Sequence, residues 1–312
     1  MLWDLSAPPP TSLTDRAVAL EGADLQGRRI ALMVTGGIAA MRAPMLARAL
    51  RRQGADVVAF ASTQALRYVG EDALAWATTH DVVTHLSAQA EHLSDASPFD
   101  AYLVAPASYN TINKMALGIA DTPLLSTLAS ALGRLEHGRS EVLVAPTMHG
   151  SMHNRILTDN MRQLRHLGVT LVPPMQSDGK NKLPNDATLG AWTARALAQG
   201  TLRGRAFVVQ GPAGAVPSAD WGVHLDVARV ELAHALAHAL WVRGATVYLA
   251  QGDGVPPPPE HLVPTLTPPP YHTLELGWSA GASLDLRALA NEDDLEGSRA
   301  RALPAIEALP VP

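Results

Sequence analysis

Five short apolar runs recur from Arg28 onward in this 312-residue chain, and helical segments separate them. The runs are RRIALMVT, ADVVAFAS, DAYLVAPAS, SEVLVAPT and VTLVPP. Their hydrophobicity is continuous rather than alternating, which is typical of strands that are covered on both faces. Repeated strand–helix–strand units of this kind predict an α/β domain with a parallel sheet and helices on both faces.

The segment after the first strand predicts an amphipathic helix. Pro44 falls in its opening turn, where the missing N–H costs little, and Gly54 ends it. The predicted apolar stripe of this helix is formed by Met45, Leu46, Ala49 and Leu50.

A glycine turn connects the first strand to this helix. A helix N-terminus behind Gly36 and Gly37 offers free backbone N–H groups and a positive dipole end to an anion. Ser62 and Thr63 end the second strand at the same sheet edge, where open α/β folds bind ligands. The pattern predicts a phosphate site, but glycine-rich turns of this kind also occur for purely steric reasons.

Composition narrows the class of protein. The chain is 47% hydrophobic and 17% charged, as globular proteins are, and its formal charge of −5 argues against nucleic-acid or anionic-membrane partners. It contains no cysteine, which excludes disulfides, thiolate nucleophiles and cysteine metal sites from these residues. No apolar run approaches the ~18 residues of a membrane helix, and the N-terminus lacks a signal-peptide pattern. We therefore expect a cytoplasmic protein.

The chain is long enough for two domains. Residues 1–27 contain a proline triplet and little periodicity, which indicates an N-terminal extension, and residues 28–200 form the main domain. Residues 204–275 form a smaller second α/β unit, with strand RAFVVQ, a glycine–proline loop, helix DVARVELAHALAHALWVRG and strand ATVYLAQG. We expect residues 276–312 to be an irregular tail.

Three stretches resemble the signature sequences of the homo-oligomeric flavin-containing cysteine decarboxylases. This is the family of phosphopantothenoylcysteine decarboxylase and the lantibiotic-modifying decarboxylases. The stretches are VTGGIAAMRAPMLARALRRQGADV, LVAPASYNTINKMALGIAD and VLVAPTMHGSMHNRILTDNMRQLRHLGVTLVPP. The resemblance implies a flavodoxin-like or Rossmann-like sheet that binds FMN, with sites between the subunits of a homotrimer or homododecamer.

The resemblance also implies roles for individual residues. The residues expected to bind FMN are Gly36, Gly37, Ile38, Ser62, Thr63, Ala107, Ser108 and Thr111. The residues expected to bind the substrate are Asn110, His149 and Met152.

His92 is the expected catalytic base, because it lies fourteen residues before Pro106 as in the family. An imidazole titrates near neutrality and suits proton transfer. A surface histidine is the alternative interpretation.

Two departures from the family pattern concern the substrate. His149 and His153 stand where the family has asparagine and tryptophan. An imidazole can still donate to a carboxylate, although His149 could instead cap or support the following helix. The segment MQSDGKNKLPND matches the family's mobile flap but lacks its reducing cysteine.

Other polar and aromatic patterns favour structural roles. His149 with His153, and Glu231 with His234 and His238, have metal-ligand spacing, but neither set has a further ligand and we expect no metal. The residues expected to pack rather than stack on bases are Trp76, Trp192, Trp221 and Trp241.

The second unit faintly resembles the start of a phosphopantothenate–cysteine ligase domain. SADWGVHLDVAR replaces the arginine-rich loop of that family, and too few residues follow to complete a synthetase, so we expect no ligase activity.

Three functions stay open on the sequence alone. The first is oxidative decarboxylation of a cysteinyl carboxylate, a small-molecule substrate. The second is FMN-dependent reduction of a pterin-like or quinone-like electron acceptor. The third is a non-catalytic, flavin-binding regulatory subunit.

Overall fold

The computed structural model describes residues 7, 9–93, 97–198, 200, 202–210, 223–226, 230–250 and 283–285. The chain divides into two units, Met1–Asp186 and Ala187–Pro312. The predicted domain limits at 28–200 and 204–275 stay predictions. Three predicted features lie outside the described residues. They are the glycine–proline loop that follows Gln210, the packing of Trp221, and the tail 276–312 except for residues 283–285.

The first unit is built on a parallel sheet. Its strands are β1 (Arg29–Val34), β2 (Asp56–Ala61), β3 (Ala101–Ala107), β4 (Glu141–Pro146), β5 (Met148–His149), β6 (Thr170–Leu171), β7 (Met175–Ser177) and β8 (Lys180–Lys182). Strands β2-β1-β3-β4-β6 form the main sheet in that order, and all its pairs are parallel. The chain order 2-1-3-4-5 is the flavodoxin-like order. The predicted α/β fold with a parallel sheet is confirmed.

Helices cover both faces of this sheet. They are α1 (Ala43–Arg52), α2 (Glu71–Thr78), α3 (Tyr109–Ala116), α4 (Pro123–Glu136) and α5 (Arg155–His166). Tyr102 and Val104 of β3 pack on one face with residues of α3, α4 and α5. Because side chains alternate along a strand, Ile30 and Leu32 of β1 lie toward the opposite face. There α1 and α2 bury Leu46 and Leu74.

The predicted helix α1 is confirmed, but its predicted buried face is shifted. Ala43 and Ala47 are buried together with Leu46 and Leu50, whereas Met45 is 54% exposed. A 3₁₀ helix, Ile38–Arg42, directly precedes α1.

The second unit carries a parallel sheet of its own. Its described elements are helix α6 (Asp186–Leu197, whose first residue belongs to the first unit), β9 (Ala206–Gln210), β10 (Val223–Asp226), α7 (Val230–Val242), β11 (Thr246–Ala250) and β12 (Ser283–Asp285). The strand order is β11-β9-β10-β12. Strands β9 and β11 and helix α7 confirm the predicted second α/β unit. Strand β10 was not predicted, and the predicted start of the helix at Asp226 is wrong because that residue ends β10.

Two of the tryptophans pack within the second unit. Trp192 and Trp241 meet edge to face, with ring centroids 5.1 Å apart. In the first unit, the Arg48 guanidinium lies 4.3 Å from the ring centroid of Trp76. None of the helices that the structure describes is both long enough and apolar enough to cross a membrane.

Candidate functional site

A cavity of about 490 Å³ lies at the carboxyl ends of β1, β2 and β3. The chain segments that reach it are the glycine turn, the end of β2, the start of α3 and the start of α4. The predicted site residues that line it are Gly36, Ser62, Thr63, Ser108, Asn110, Thr111 and Met152. The structure therefore brings together seven residues that the sequence places in four separate stretches.

Five predicted site residues do not line this cavity. Gly37 and the 68%-exposed Ile38 lie just beyond the glycine turn, and Ala107 is buried at the end of β3. His149 lies on β5, three residues before Met152. His92 lies in the segment between Thr84 and β3.

The glycine turn approaches the end of β2 very closely. A Cβ atom on Gly36 would lie 2.5 Å from the Cβ atom of Gln64 and 3.3 Å from its backbone carbonyl carbon. A Cβ atom on Gly37 would meet no heavy atom within 4 Å. Glycine is therefore required at the first position by steric contact, whereas the second position has room for a side chain.

The helix N-termini that reach the cavity are not the one predicted from the sequence. The glycine turn leads into the 3₁₀ helix Ile38–Arg42 instead of directly into α1. Ser108 caps α3 and Thr122 caps α4, with their hydroxyl oxygens accepting the N–H groups of Thr111 and Leu125 at 3.4 and 3.2 Å. Both caps line the cavity, so the positive ends of two α-helices face it.

The polar lining consists of uncharged groups. No Asp, Glu, Lys or Arg occurs among the lining residues that the structure describes. The Ser62 hydroxyl oxygen accepts the Ala65 N–H at 3.1 Å, which leaves its O–H hydrogen free to donate. Hydroxyl and backbone N–H donors without a nearby carboxylate suit an anionic ligand group.

Thr35 connects the glycine turn to the start of α3. It is 1% exposed. Its hydroxyl donates to the Pro106 carbonyl at 2.7 Å and accepts the Ser108 N–H at 2.9 Å. One buried hydroxyl thus fixes the two loops that supply Gly36 and Ser108 to the cavity.

We expect Thr35→Val to destabilise the protein by about 1–3 kcal/mol, because the buried Pro106 carbonyl and the half-buried Ser108 N–H would both lose their hydrogen-bond partner. Thr35→Ser keeps the hydroxyl and is the matched control. Urea unfolding monitored by circular dichroism measures the difference. Equal stability of the valine and serine variants would contradict this role for the hydroxyl.

A small antiparallel sheet carries His149. Strand β5 pairs with β8, which pairs with β7, and His149 lies opposite Lys180. The His149 Nδ1 atom accepts the Ser151 N–H at 3.2 Å and lies 2.8 Å from the Ser151 hydroxyl. His149 therefore caps the short helical turn that carries Met152, which agrees with the alternative that this histidine caps the following helix. Its role in binding the substrate stays a prediction.

The β7–β8 hairpin is the segment that the sequence matched to a flap. The Asn181 amide lies 3.2 Å from Nδ1 of His153. At the hairpin tip, hydrogen bonds from Lys182 and Ser177 hold the pKa of the Asp178 carboxyl below its usual range. Lys182 is thereby paired with Asp178 within the hairpin. The contact between Asn181 and His153 attaches the hairpin to the stretch that follows β4.

The hairpin contacts this stretch through two glycines. The Gly150 N–H donates to the Gly179 carbonyl at 3.1 Å, and a Cβ atom on Gly150 would lie 2.5 Å from that oxygen.

We expect Gly150→Ala to detach the hairpin and to raise amide hydrogen exchange across residues 175–182. Gly133→Ala is the control, since its added Cβ would meet nothing within 4 Å. Unchanged exchange in both variants would contradict the contact.

His92 lies away from the cavity in the single chain. The carbonyl of the next residue, Leu93, accepts a 2.6 Å hydrogen bond from Arg134. Arg134 is nine residues after Leu125 on α4, a distance of about 14 Å at the helical rise per residue. The Nδ1 atom of His92 is buried and has no hydrogen-bond partner in the part of the chain that the structure describes.

Several lining residues were not predicted. They are Ala61, Gln64, Thr84, Tyr109, Thr122, Pro123, Leu124 and Leu125. One signal was available, because Thr122 followed by Pro123 is a typical helix start. Among the described residues, no group of three or more His, Asp or Glu side chains is placed to hold a metal ion.

Comparison with known proteins gives one family match. Residues 19–194 match the family model described as Flavoprotein. The coenzyme A biosynthesis bifunctional protein CoaBC of Thermococcus kodakarensis is 33% identical over 196 residues, which cover 61% of this chain and 47% of that protein. The protein of the same name from Bacillus subtilis is 28% identical over 245 residues, which cover 73% of this chain and 58% of that protein. The chain thus spans about half the length of these curated relatives.

Solved structures also resemble part of the chain. The FMN-dependent cysteine decarboxylase SpaF is 25% identical, with a TM-score of 0.49 and coverage of 56% of this chain and 98% of its own. The epidermin biosynthesis protein EpiD of Staphylococcus aureus is 21% identical, with a TM-score of 0.44 and coverage of 52% and 98%.

Proposed function

This chain belongs to the Flavoprotein family, and from that premise we propose that it binds FMN in the cavity at the carboxyl ends of β1, β2 and β3. The family match confirms the relationship predicted from the three sequence stretches. The observation that carries the proposal is the convergence of Gly36, Ser62, Thr63 and Ser108 on one cavity of about 490 Å³.

The lining residues suit the two parts of FMN. The close backbone turn at Gly36 and the hydroxyls of Ser62 and Thr63 would hold the phosphate. The apolar remainder of the lining would hold the ring system, and consists of Tyr109, Pro123, Leu124, Leu125 and Met152. Gly37, Ile38 and Ala107 stay predictions for this role, since they do not line the cavity.

We propose oxidative decarboxylation of a cysteinyl carboxylate as the reaction. When bound, FMN would supply a hydride acceptor for oxidation of the carbon bearing sulfur to a thiocarbonyl, into which the electron pair left by CO₂ could delocalise. Asn110 would donate to the carboxylate from the cavity wall, and His149 would donate from the strand beside it. His92 would accept the proton released in the oxidation.

The position of His92 favours a site shared between subunits. In one chain His92 does not line the cavity, and the carbonyl of the next residue, Leu93, accepts a hydrogen bond from Arg134 in the distal half of α4. Its buried Nδ1 atom has no hydrogen-bond partner among the residues that are described. A homotrimer or homododecamer, in which His92 of one subunit completes the cavity of another, accounts for the separation of His92 from the cavity of its own chain.

The flap segment limits how far the reaction can go. The 312 residues contain no cysteine, and the β7–β8 hairpin carries Lys180, Asn181 and Lys182 instead. Without a flap thiol to assist the return of the hydride from the reduced cofactor to the product, the product would leave as an enethiol and the reduced cofactor would need an external acceptor. The absence of ligase activity stays a prediction, tested by supplying ATP or CTP with cysteine and phosphopantothenate.

Two other functions each have one observation in their favour. The lack of cysteine suits an FMN-dependent reductase of a pterin-like or quinone-like acceptor, which needs no flap thiol. The separation of His92 from the cavity suits a regulatory subunit that joins catalytic relatives in mixed oligomers.

The test is to incubate the FMN-loaded protein with phosphopantothenoylcysteine and with peptides that end in cysteine. We expect mass spectrometry to show loss of CO₂ and two hydrogens from at least one of them. Rapid bleaching of the flavin by NADPH, together with no mass change in any cysteinyl compound, would overturn the decarboxylase and favour the reductase. A lack of both activities would favour the regulatory subunit.

A further inference from the structure

We infer that the phenol of Tyr109 contacts the ring system of the bound flavin and quenches its fluorescence. This inference rests on the proposed binding of FMN in the cavity. It assigns a cofactor-contacting role to a residue that the sequence motifs did not single out.

Tyr109 has a distinct place in the cavity. It is the first residue of α3 and follows the cap Ser108. It is half-buried, packs against the hydrophobic core of the sheet, and lines the cavity with its neighbour Asn110. Among the described lining residues it is the one aromatic side chain.

A second helix holds the phenol in place. The Tyr109 hydroxyl lies 3.3 Å from both Oδ1 and Nδ2 of Asn154. The Asn154 Oδ1 atom also accepts the Leu157 N–H at 3.1 Å and so caps α5. Because Asn154 is fixed by this cap, the phenol bridges α3 and α5 and has little freedom to leave the cavity wall.

The chemistry of the lining indicates which part of FMN meets Tyr109. The glycine turn and the hydroxyls of Ser62 and Thr63 suit the phosphate. The ring system is flat and apolar, and aromatic side chains favour offset or edge contacts with such rings. Tyr109 shares the cavity with Leu124 and Met152, which are apolar as well, so its ring belongs to the part that would receive the flavin ring.

Contact between a phenol and a flavin has a specific optical signature. An excited flavin takes an electron from a phenol at van der Waals distance and returns it without emitting light, so no net oxidation results. A phenylalanine ring of the same shape is too difficult to oxidise for this transfer. Fluorescence therefore distinguishes a ring that donates an electron to the flavin from a ring of the same shape that only packs against it.

The experiment compares FMN fluorescence lifetimes in the wild type, Tyr109→Phe and Tyr109→Ala. We expect the wild type to be strongly quenched, and both variants to be several-fold brighter at equal bound FMN. Tyr109→Phe should keep nearly all of its FMN affinity, because it preserves the ring. Tyr68→Phe is the control, since Tyr68 is 47% exposed and does not line the cavity.

The possible outcomes separate the two proposals. If the wild type takes up no FMN, judged by absorbance after gel filtration, the proposed function fails. If it binds FMN but Tyr109→Phe and Tyr109→Ala have wild-type lifetimes, the contact is refuted and FMN binding stands. Equal brightening by Tyr68→Phe would also refute the assignment to Tyr109.

Discussion

Gly36→Ala is expected to weaken FMN binding by about 10- to 100-fold. The added Cβ atom would lie 2.5 Å from the Cβ atom of Gln64, so the turn or the end of β2 has to move. Such overpacking costs about 1–3 kcal/mol, and 1.4 kcal/mol corresponds to tenfold in affinity. The displaced atoms belong to the two loops that would hold the phosphate, so the strain acts directly on the ligand.

Gly37→Ala is the matched control for this change. Its Cβ atom would meet nothing within 4 Å, and its φ of 163° is extended backbone that any residue adopts. FMN titrations of both apoproteins, with thermal unfolding to verify the fold, measure the contrast. Wild-type affinity in both variants would show that the glycine turn does not contact the cofactor.

His92→Asn is expected to keep FMN and to lose about 10²- to 10⁴-fold in turnover, which is the usual contribution of a positioned general base. His137→Asn is the control, because His137 is an exposed histidine at the end of α4. Bound FMN is quantified by absorbance, and turnover by the mass change of the substrate. Wild-type turnover in His92→Asn would remove this histidine from the mechanism.

A mixing experiment tests whether His92 serves a neighbouring subunit. His92→Asn chains have an intact cavity, and Gly36→Ala chains have an intact His92. At an FMN concentration too low to load Gly36→Ala, mixed oligomers of the two variants should regain part of the activity if each site draws on two subunits. If oligomers that contain both variants regain none, the shared site is contradicted.

The sequence predicts the scaffold of the site better than its complete lining. Buried parallel strands have continuous apolar runs, and so β1 to β4 and the residues that follow β1, β2 and β3 could be located. The start of α4 at Thr122 is far along the chain from Gly36, and only the packing of α4 on the sheet brings the two together.

Two errors have local physical causes. Periodicity alone does not fix which face of a helix is buried, and α1 buries Ala43 and Ala47 while Met45 is exposed. Strand β10 is only four residues long, and its pattern VHLD lacks the continuous apolar character of the other strands. The strands of the hairpin at residues 175–182 contain a single apolar residue, Met175, so its hydrogen bonds and not its hydrophobicity define it.

The most direct test of the account is equilibrium binding of FMN to the purified apoprotein, followed by visible absorption after removal of free cofactor. We predict one FMN per chain with a flavin spectrum, and a clear loss of binding in Gly36→Ala but not in Gly37→Ala. No retained flavin absorption in the wild type, even at saturating FMN, would show that the cavity beside the glycine turn holds a different ligand.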